Sequence, residues 1–284
     1  MTDLYLALAL MAAVSVALFL LGLALGRRLA RGALAVAALL TCAFIVGFVR
    51  FASDRLLLAR LLPFSNVVVL ADWLPAAVAL LAGLAWRRID GRAWRKGLLV
   101  VPLVLLCGFR SATTLFGTAP PPDDRWKRGV CLQTSQASCS AAAAATLLKA
   151  HGIDTNEAEM ARLCLTRPAG TPMHGLYRGL KLKTKDSPWD VGAFRGDLNS
   201  LRGEKGPVIL SVRLDPGPGI DERYARLWGW TPGVNHTVVF FGFRDDGKTE
   251  VGDPAVGREN WRVEDLAVLW HGEGLRLTKR HTRR

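Results

Sequence analysis

Long apolar runs separated by short basic segments fill the first 117 residues of the chain. Residues 4–26 contain no charged side chain, residues 33–49 form a second such run, and residues 66–86 form a third that includes Asp72. About 20 apolar residues in a helix cross a bilayer core of about 30 Å. The pattern therefore predicts membrane-spanning helices at these three positions.

A fourth, weaker apolar run covers residues 97–117 and is interrupted by Arg110. An arginine near a helix end can extend its guanidinium to the lipid headgroups. We therefore predict four spans and a membrane region over residues 1–117. Asp72 and Pro75 lie near one end of the third run, and we interpret them as structural residues. The first run lacks the basic start of a signal peptide, so we expect it to be retained.

Basic residues lie mainly between the apolar runs. Three follow the first run and five follow the third, against three between the second and third. These groups are Arg27, Arg28 and Arg31; Arg87, Arg88, Arg92, Arg95 and Lys96; and Arg50, Arg55 and Arg60. The richer loops belong in the cytoplasm. Four spans then predict a multi-pass protein of the cell membrane whose termini face outward, into the periplasm.

The rest of the chain mixes charged, apolar and turn residues as a soluble domain does. We predict a proline-rich linker at 118–124, a soluble domain at 125–276 and a basic tail at 277–284. The overall net charge is +13. The soluble part has no aromatic-interleaved basic stripe and no known nucleic-acid module, so we exclude nucleic acid as a partner.

The soluble part begins with an alanine-rich helix and continues with strands. Residues 141–150 favour a helix closed by Gly152, and Cys139 comes directly before it. Residues 235–243 and 249–253 read as two strands joined by an Asp-Asp-Gly turn. The pattern predicts an α+β domain, with the helix packed on an antiparallel sheet.

Three residues of this domain fit cysteine acyl transfer. A helix N-terminus favours the thiolate form of Cys139, which is the nucleophilic form. In the predicted hairpin His236 begins the first strand and Asp253 ends the second, so the carboxylate can hold the imidazole ring. The sequence predicts a nucleophile, a base and a group that orients the base. His174 is a competing base in a predicted loop, where no carboxylate partner is evident.

Several short segments in fixed order resemble the C39 peptidase family, the papain-like domain that cleaves double-glycine leader peptides in bacteriocin exporters. They are Gln133 and Cys139 before the helix, Gly170-Thr171, Gly175-Leu176, Pro207-Val208-Ile209-Leu210, His236-Thr237-Val238-Val239, Asp253-Pro254 with Gly257, and Leu269-Trp270-His271-Gly272. The resemblance implies Cys139 as nucleophile, His236 as base, Asp253 as orienting residue and Gln133 as oxyanion donor. It also implies a peptide or protein substrate and points to a separate transporter as a partner.

Three features depart from the family pattern. Ser140 stands where the family usually has glycine, and the apolar helices precede the peptidase domain instead of following it. No phosphate-binding loop for ATP occurs in the sequence, so the chain is not itself an exporter. Two alternatives stay open: a cysteine amidase or acyltransferase with the same triad, and an inactive membrane-anchored domain that binds peptides.

The remaining cysteine chemistry leads to two expectations. An outward-facing domain lies where disulfides persist, and Cys131 and Cys164 flank the predicted nucleophile helix, so we predict a disulfide between them. No set of cysteines and histidines has zinc spacing, so we predict no metal and no cofactor.

Overall fold

The computed structural model describes residues 2–51, 56–86, 88–89, 92–112 and 123–280. The chain divides into two compact units. The first consists of Met1–Leu58 and Asn66–Gly117, and the second of Ala59–Ser65 and Thr118–Arg284.

The described part of the first 112 residues is helical. Its helices are α1 (Thr2–Arg28), α2 (Arg31–Phe51), α3 (Leu57–Leu61), α4 (Val67–Leu70), α5 (Leu74–Trp86) and α6 (Ala93–Ala112). Among the described residues, three segments are long and apolar enough to cross a membrane by length and composition: Thr2–Arg28, Arg31–Phe51 and Val67–Trp86. They coincide with the first three predicted spans.

The third predicted span is divided between α4 and α5. Asp72 lies in the break, and its carboxylate accepts a hydrogen bond from the backbone N–H of Leu74 at 3.4 Å. Pro75 is the second residue of α5, within the first turn, where a missing N–H breaks no helical hydrogen bond. This arrangement agrees with a structural role for Asp72 and Pro75.

The fourth predicted span differs from the structure at its start. Helix α6 begins at Ala93 and includes Arg95 and Lys96. As far as the structure describes it, to Ala112, it is not one of the three segments that are long and apolar enough to cross a membrane. The rest of that prediction, residues 113–117, and residues 118–122 of the predicted linker lie outside the described residues.

Helices α1 and α5 cross at two glycines. A Cβ atom added to Gly22 would lie 2.6 Å from the carbonyl oxygen of Leu80, and one added to Gly83 would lie 2.3 Å from that of Phe19. Small residues let two apolar helices approach closely where water supplies no driving force. The rings of Phe19 and Trp86 meet edge to face beside this crossing, with centroids 5.9 Å apart.

The second unit combines helices with antiparallel strands. Its helices are α7 (Cys139–Ala150), α8 (Glu157–Leu163), α9 (Met173–Lys183), α10 (Leu198–Arg202), α11 (Arg223–Trp228) and α12 (Val263–Leu269). Its strands are β1 (Arg125–Lys127), β2 (Val130–Leu132), β3 (Trp189–Arg195), β4 (Val208–Arg213), β5 (Asn235–Phe243), β6 (Lys248–Asp253), β7 (Gly257–Arg262) and β8 (Trp270–Lys279).

Six of these strands form one antiparallel sheet in the order β3-β8-β4-β5-β6-β7, and β1 pairs with β2 separately. Consecutive strands β5, β6 and β7 are hydrogen-bonded neighbours, as expected for short turns. The α+β class predicted from the sequence is confirmed. The predicted basic tail starts too early, because β8 continues to Lys279, which pairs with Trp189.

Helix α7 is the centre of the second unit. All its residues from Cys139 to Leu148 are buried, and it packs against β2, β5, α8 and α9. Five successive alanines, 141–145, allow this close approach on every side because they add little volume. The helix ends before Gly152, whose φ of +75° is the left-handed conformation of a helix stop.

Candidate active site

The Cys139 thiol lies at the first residue of α7. The free backbone N–H groups and the dipole of the helix favour negative charge at this end. Cys139 is 9% exposed, so the thiol is shielded from bulk solvent. This position matches the sequence prediction of a cysteine at the start of the alanine-rich helix.

The His236 ring connects this thiol to a carboxylate. His236 is the second residue of β5 and Asp253 is the last residue of the neighbouring strand β6. The Nε2 atom of His236 and the Oδ1 atom of Asp253 are 2.8 Å apart. The strand register pairs Val239 with Gly252, so the two side chains meet diagonally across the pair.

The turn between β6 and β7 holds the carboxylate in place. Asp253 Oδ1 also accepts a hydrogen bond from the backbone N–H of Ala255 at 2.7 Å. The carbonyl oxygen of Pro254 accepts one from the backbone N–H of Gln133 at 2.8 Å. The same turn therefore fixes Asp253 and the segment that leads to Cys139.

The proton affinities of the thiol and the imidazole are shifted in opposite directions. Burial opposes ionisation of Cys139, but hydrogen bonding to His236 and the charge of His236 outweigh burial and lower the pKa of the thiol. Burial also favours neutral His236, but the hydrogen bonds and charges of Asp253 and Cys139 raise the pKa of the imidazole to about 10. Both shifts favour the ion pair of thiolate and imidazolium over the neutral pair.

Gln133 lies on the wall of the same site. Its Oε1 atom is buried and has no hydrogen-bond partner among the described residues, and the residue lines a cleft that also contains His236 and Asp253. An oxyanion needs the N–H end of this amide. Gln136 lies in the following turn and lines the cleft as well.

Ser140 makes a contact that the sequence does not reveal. Its hydroxyl lies 2.8 Å from the hydroxyl of Thr237, which follows His236 in β5. A hydrogen bond from Ser140 and one from the backbone of Thr237 contribute to the lowered pKa of Cys139. The serine therefore ties the nucleophile helix to the strand of the base.

The cleft beside these residues has a volume of about 800 Å³. Its walls come from the end of α11, the start of β5, the β6–β7 turn and β7. Trp228, Trp230 and Trp261 lie among its lining residues. The sequence pattern did not place these tryptophans at the site, although Trp-Gly-Trp shortly before the strand of His236 is a pattern that could have indicated them.

His174 is not part of this arrangement. It is buried in α9, not in a loop as expected, and it is absent from the described residues that line the cleft.

The predicted disulfide between Cys131 and Cys164 is wrong, because both are free thiols in the structure. The backbone N–H of Cys131 bonds to the hydroxyl of Thr146 on α7 at 2.9 Å, whereas the thiol of Cys164 faces the carbonyl oxygen of Leu176 at 3.9 Å. Burial raises the pKa of each thiol to about 12. The prediction used the expected compartment, whereas packing places the two cysteines in different contacts.

Comparison with known proteins gives one family and several solved structures. Residues 127–215 match the Peptidase C39 family, a range that includes Gln133 and Cys139 and ends before His236. No curated protein matches the chain.

Two of the similar solved structures are peptidase domains of transporters. One is a double glycine motif protease from an AMS/PCAT transporter in complex with the leader peptide, at 16% identity and a TM-score of 0.41 over 57% of this chain and 97% of that chain. The other is the peptidase domain of Streptococcus ComA, a bifunctional ABC transporter involved in quorum sensing, at 18% identity and a TM-score of 0.40 over 52% of this chain and 96% of that chain.

The family match covers the beginning of the second unit, from β1 to the loop after β4. It lies on the segment that carries the thiol at the start of α7. The match of residues 127–215 to the peptidase C39 family supports a peptidase domain in this part of the chain.

Proposed function

We propose that the chain is a membrane-anchored peptidase in which Cys139 is the nucleophile, His236 the general base and acid, and Asp253 the residue that orients His236. Gln133 donates a hydrogen bond to the oxyanion. The observation that carries this proposal is the 2.8 Å contact between His236 and Asp253 together with the lowered pKa of Cys139. A buried thiol is reactive only where a charged partner favours its ionised form.

The proposed reaction uses each group in turn. The Cys139 thiolate attacks the peptide carbonyl carbon, and the carbonyl oxygen becomes an oxyanion that accepts hydrogen bonds from Gln133 and the Cys139 backbone. The His236 imidazolium then gives its proton to the leaving amine as the C–N bond breaks, which leaves a thioester. Neutral His236 takes a proton from water, and the hydroxide formed attacks the thioester and releases the thiolate.

Asp253 keeps the imidazole in one orientation throughout. Because Nε2 of His236 is hydrogen-bonded to Asp253, Nδ1 is the nitrogen left to exchange protons with the thiol and the leaving group.

The proposed membrane topology rests on the three apolar segments and on the basic loops between them. We propose that α6 supplies the fourth crossing, which places the peptidase domain outside the cytoplasm. Protease added to spheroplasts should then degrade the domain while a tag inserted at residue 89 stays protected. Protection of the domain would instead put it in the cytoplasm, with three crossings.

The proposed substrate is a peptide or protein, and leader peptides handled by a separate transporter are the first class to test. The family resemblance suggests them.

The decisive experiment compares Cys139→Ala with Cys164→Ala in the full chain. Cys139→Ala should abolish both thiol-probe labelling of the peptidase domain and hydrolysis of a peptide amide, whereas Cys164→Ala should retain both. Full hydrolysis by Cys139→Ala would refute the assignment. In the natural protein, labelling without hydrolysis would favour a peptide-binding domain, and acyl transfer to an added amine would favour an acyltransferase.

A further inference from the structure

The segment between β4 and β5 is much longer than the connection requires. The two strands are antiparallel neighbours, and residues 214–234 join them. Two to about five residues suffice for such a hairpin, and loops beyond about 12–15 residues are usually functional. We call residues 214–234 the β4–β5 segment.

This segment is fastened to the rest of the domain. Its helix α11 carries Arg223 and Tyr224, whose side chains donate hydrogen bonds of 2.6 Å and 2.9 Å to the buried carboxylate of Asp265 in α12. Gly229 ends the helix with a φ of +70°, a conformation that suits glycine. The helical part of the segment is therefore held against α12.

The part of the cleft wall that this segment forms ends in tryptophans next to the candidate base. The ring of Trp230 meets the ring of His236 edge to face at 5.7 Å and that of Trp261 at 5.9 Å. The ring of Trp228 meets that of Tyr224 at 5.2 Å, which connects it to the anchored part of α11. Aromatic contacts of this kind fix ring positions.

Exposed apolar side chains continue the wall along the cleft. Leu227 is 65% exposed, Trp228 48%, Val234 54% and Val256 47%, and all four line the cleft that contains His236. Soluble surfaces rarely gather exposed apolar side chains at one place unless a partner covers them. A volume of about 800 Å³ is in the range of cavities that enclose a ligand of many atoms.

We infer that the β4–β5 segment forms a substrate-binding wall that takes a large apolar side chain, aromatic or branched aliphatic, from the peptide beside the bond that is cut. This inference rests on the proposed function, since it places the scissile bond between Cys139 and His236. A pair of glycines would leave the wall uncovered. A peptide fits better than a lipid surface, because the exposed amide side chains of Asn235 and Asn260 share the cleft with the apolar side chains and offer groups for a polar backbone.

Peptide binding can test the wall separately from catalysis. Full-length Cys139→Ala protein in nanodiscs is incubated with a tryptic digest of bacterial protein, and the retained peptides are identified by mass spectrometry. We expect enrichment of peptides with an internal aromatic or branched aliphatic residue. Adding Trp228→Ala or Val234→Ser should reduce that enrichment about tenfold, the effect of removing apolar contacts from a specificity pocket.

Val268→Ser is the matched control, because Val268 is 49% exposed and is not among the described residues that line the cleft. It should leave the retained peptides unchanged. Equal retention by all variants, or no apolar enrichment at all, would overturn the inference. Such a result would leave the thiol assignment standing, because that assignment is judged by labelling and hydrolysis.

Discussion

The second unit has two buried cysteines whose pKa values are shifted in opposite directions: Cys139 at the start of α7 and Cys164 at the end of α8. At Cys139 the contact with His236 outweighs burial and lowers the pKa of the thiol. At Cys164 burial raises the pKa to about 12, and the charge of Arg178 offsets only part of this effect. Burial by itself therefore makes a thiol inert, and a hydrogen-bonded imidazolium is what makes one reactive.

The two sites also differ in what holds the sulfur. The Cys164 sulfur fills a groove made by glycines one helical turn apart on α9: a Cβ atom added to Gly179 would lie 2.2 Å from it, and one added to Gly175 would lie 2.3 Å from the Cys164 carbonyl oxygen. Cys139 instead lies between a helix start and a strand that carries polar groups. Cys164 therefore lies in a packing site, and Cys139 lies in the site that we propose to be reactive.

Removing the imidazole should have the largest effect on activity, because it removes the contact that distinguishes the reactivity of Cys139 from that of Cys164. In His236→Ala we expect the rate of peptide hydrolysis to fall by about 10⁴-fold or more. The thiol and the imidazole act as a unit, so losing one removes most of the contribution of both. The rate of Cys139 alkylation at pH 7 should fall toward that of Cys164. His271→Ala is the control, because that histidine bonds to the carbonyl oxygen of Arg213 and should leave both rates unchanged. Unchanged alkylation in His236→Ala would contradict the comparison.

Weakening the carboxylate should change the pH range of the reactive pair. The imidazolium is held by a pKa of about 10, so the activity of the natural protein should rise with pH as Cys139 ionises and fall as pH passes about 10. Asp253→Asn removes a contact that raises this pKa. We therefore expect kcat/KM to fall about 10²-fold and its alkaline limb to move to lower pH. A limb that stays in place would argue against Asp253 as the orienting residue.

Filling the groove around Cys164 should affect stability and leave reactivity alone. Gly179→Ala places a methyl group in the space of the sulfur, so we expect the free energy of unfolding to fall by about 1–3 kcal/mol. Thermal unfolding measures this effect, and the rate of Cys139 alkylation below the transition should not change. Gly192→Ala, where the new methyl meets only the Arg276 side chain at 3.6 Å, should cost less.

Removing the contact of Ser140 should sharpen the comparison with the smallest effect. Ser140→Gly deletes the hydrogen bond to Thr237. One such bond contributes about 1 kcal/mol, so we expect kcat/KM to fall about fivefold. The acidic limb of the pH profile should move to higher pH, because Ser140 helps to lower the pKa of Cys139. No movement of that limb would leave Ser140 a packing residue only.

Local patterns account for the parts of the molecule that could be predicted. Long apolar runs indicate the first helices, because about 20 apolar residues in a helix are needed to cross the bilayer core. Five alanines in a row indicate a helix that starts at Cys139, and a turn signal between two apolar segments brings His236 and Asp253 to the same end of a hairpin. Each of these features depends on residues that are near in the sequence.

The tertiary structure alone decided the contacts between distant residues. Ser140 meets Thr237 across 97 positions, and Arg223 meets Asp265 across 42. The Cys164 sulfur lies in a glycine groove and forms no disulfide with Cys131. No local pattern encodes these contacts, because they exist only after α7, the sheet and the β4–β5 segment have packed together. The sequence thus determined which residues could react, and packing determined which thiol has a lowered pKa and which side chains surround it.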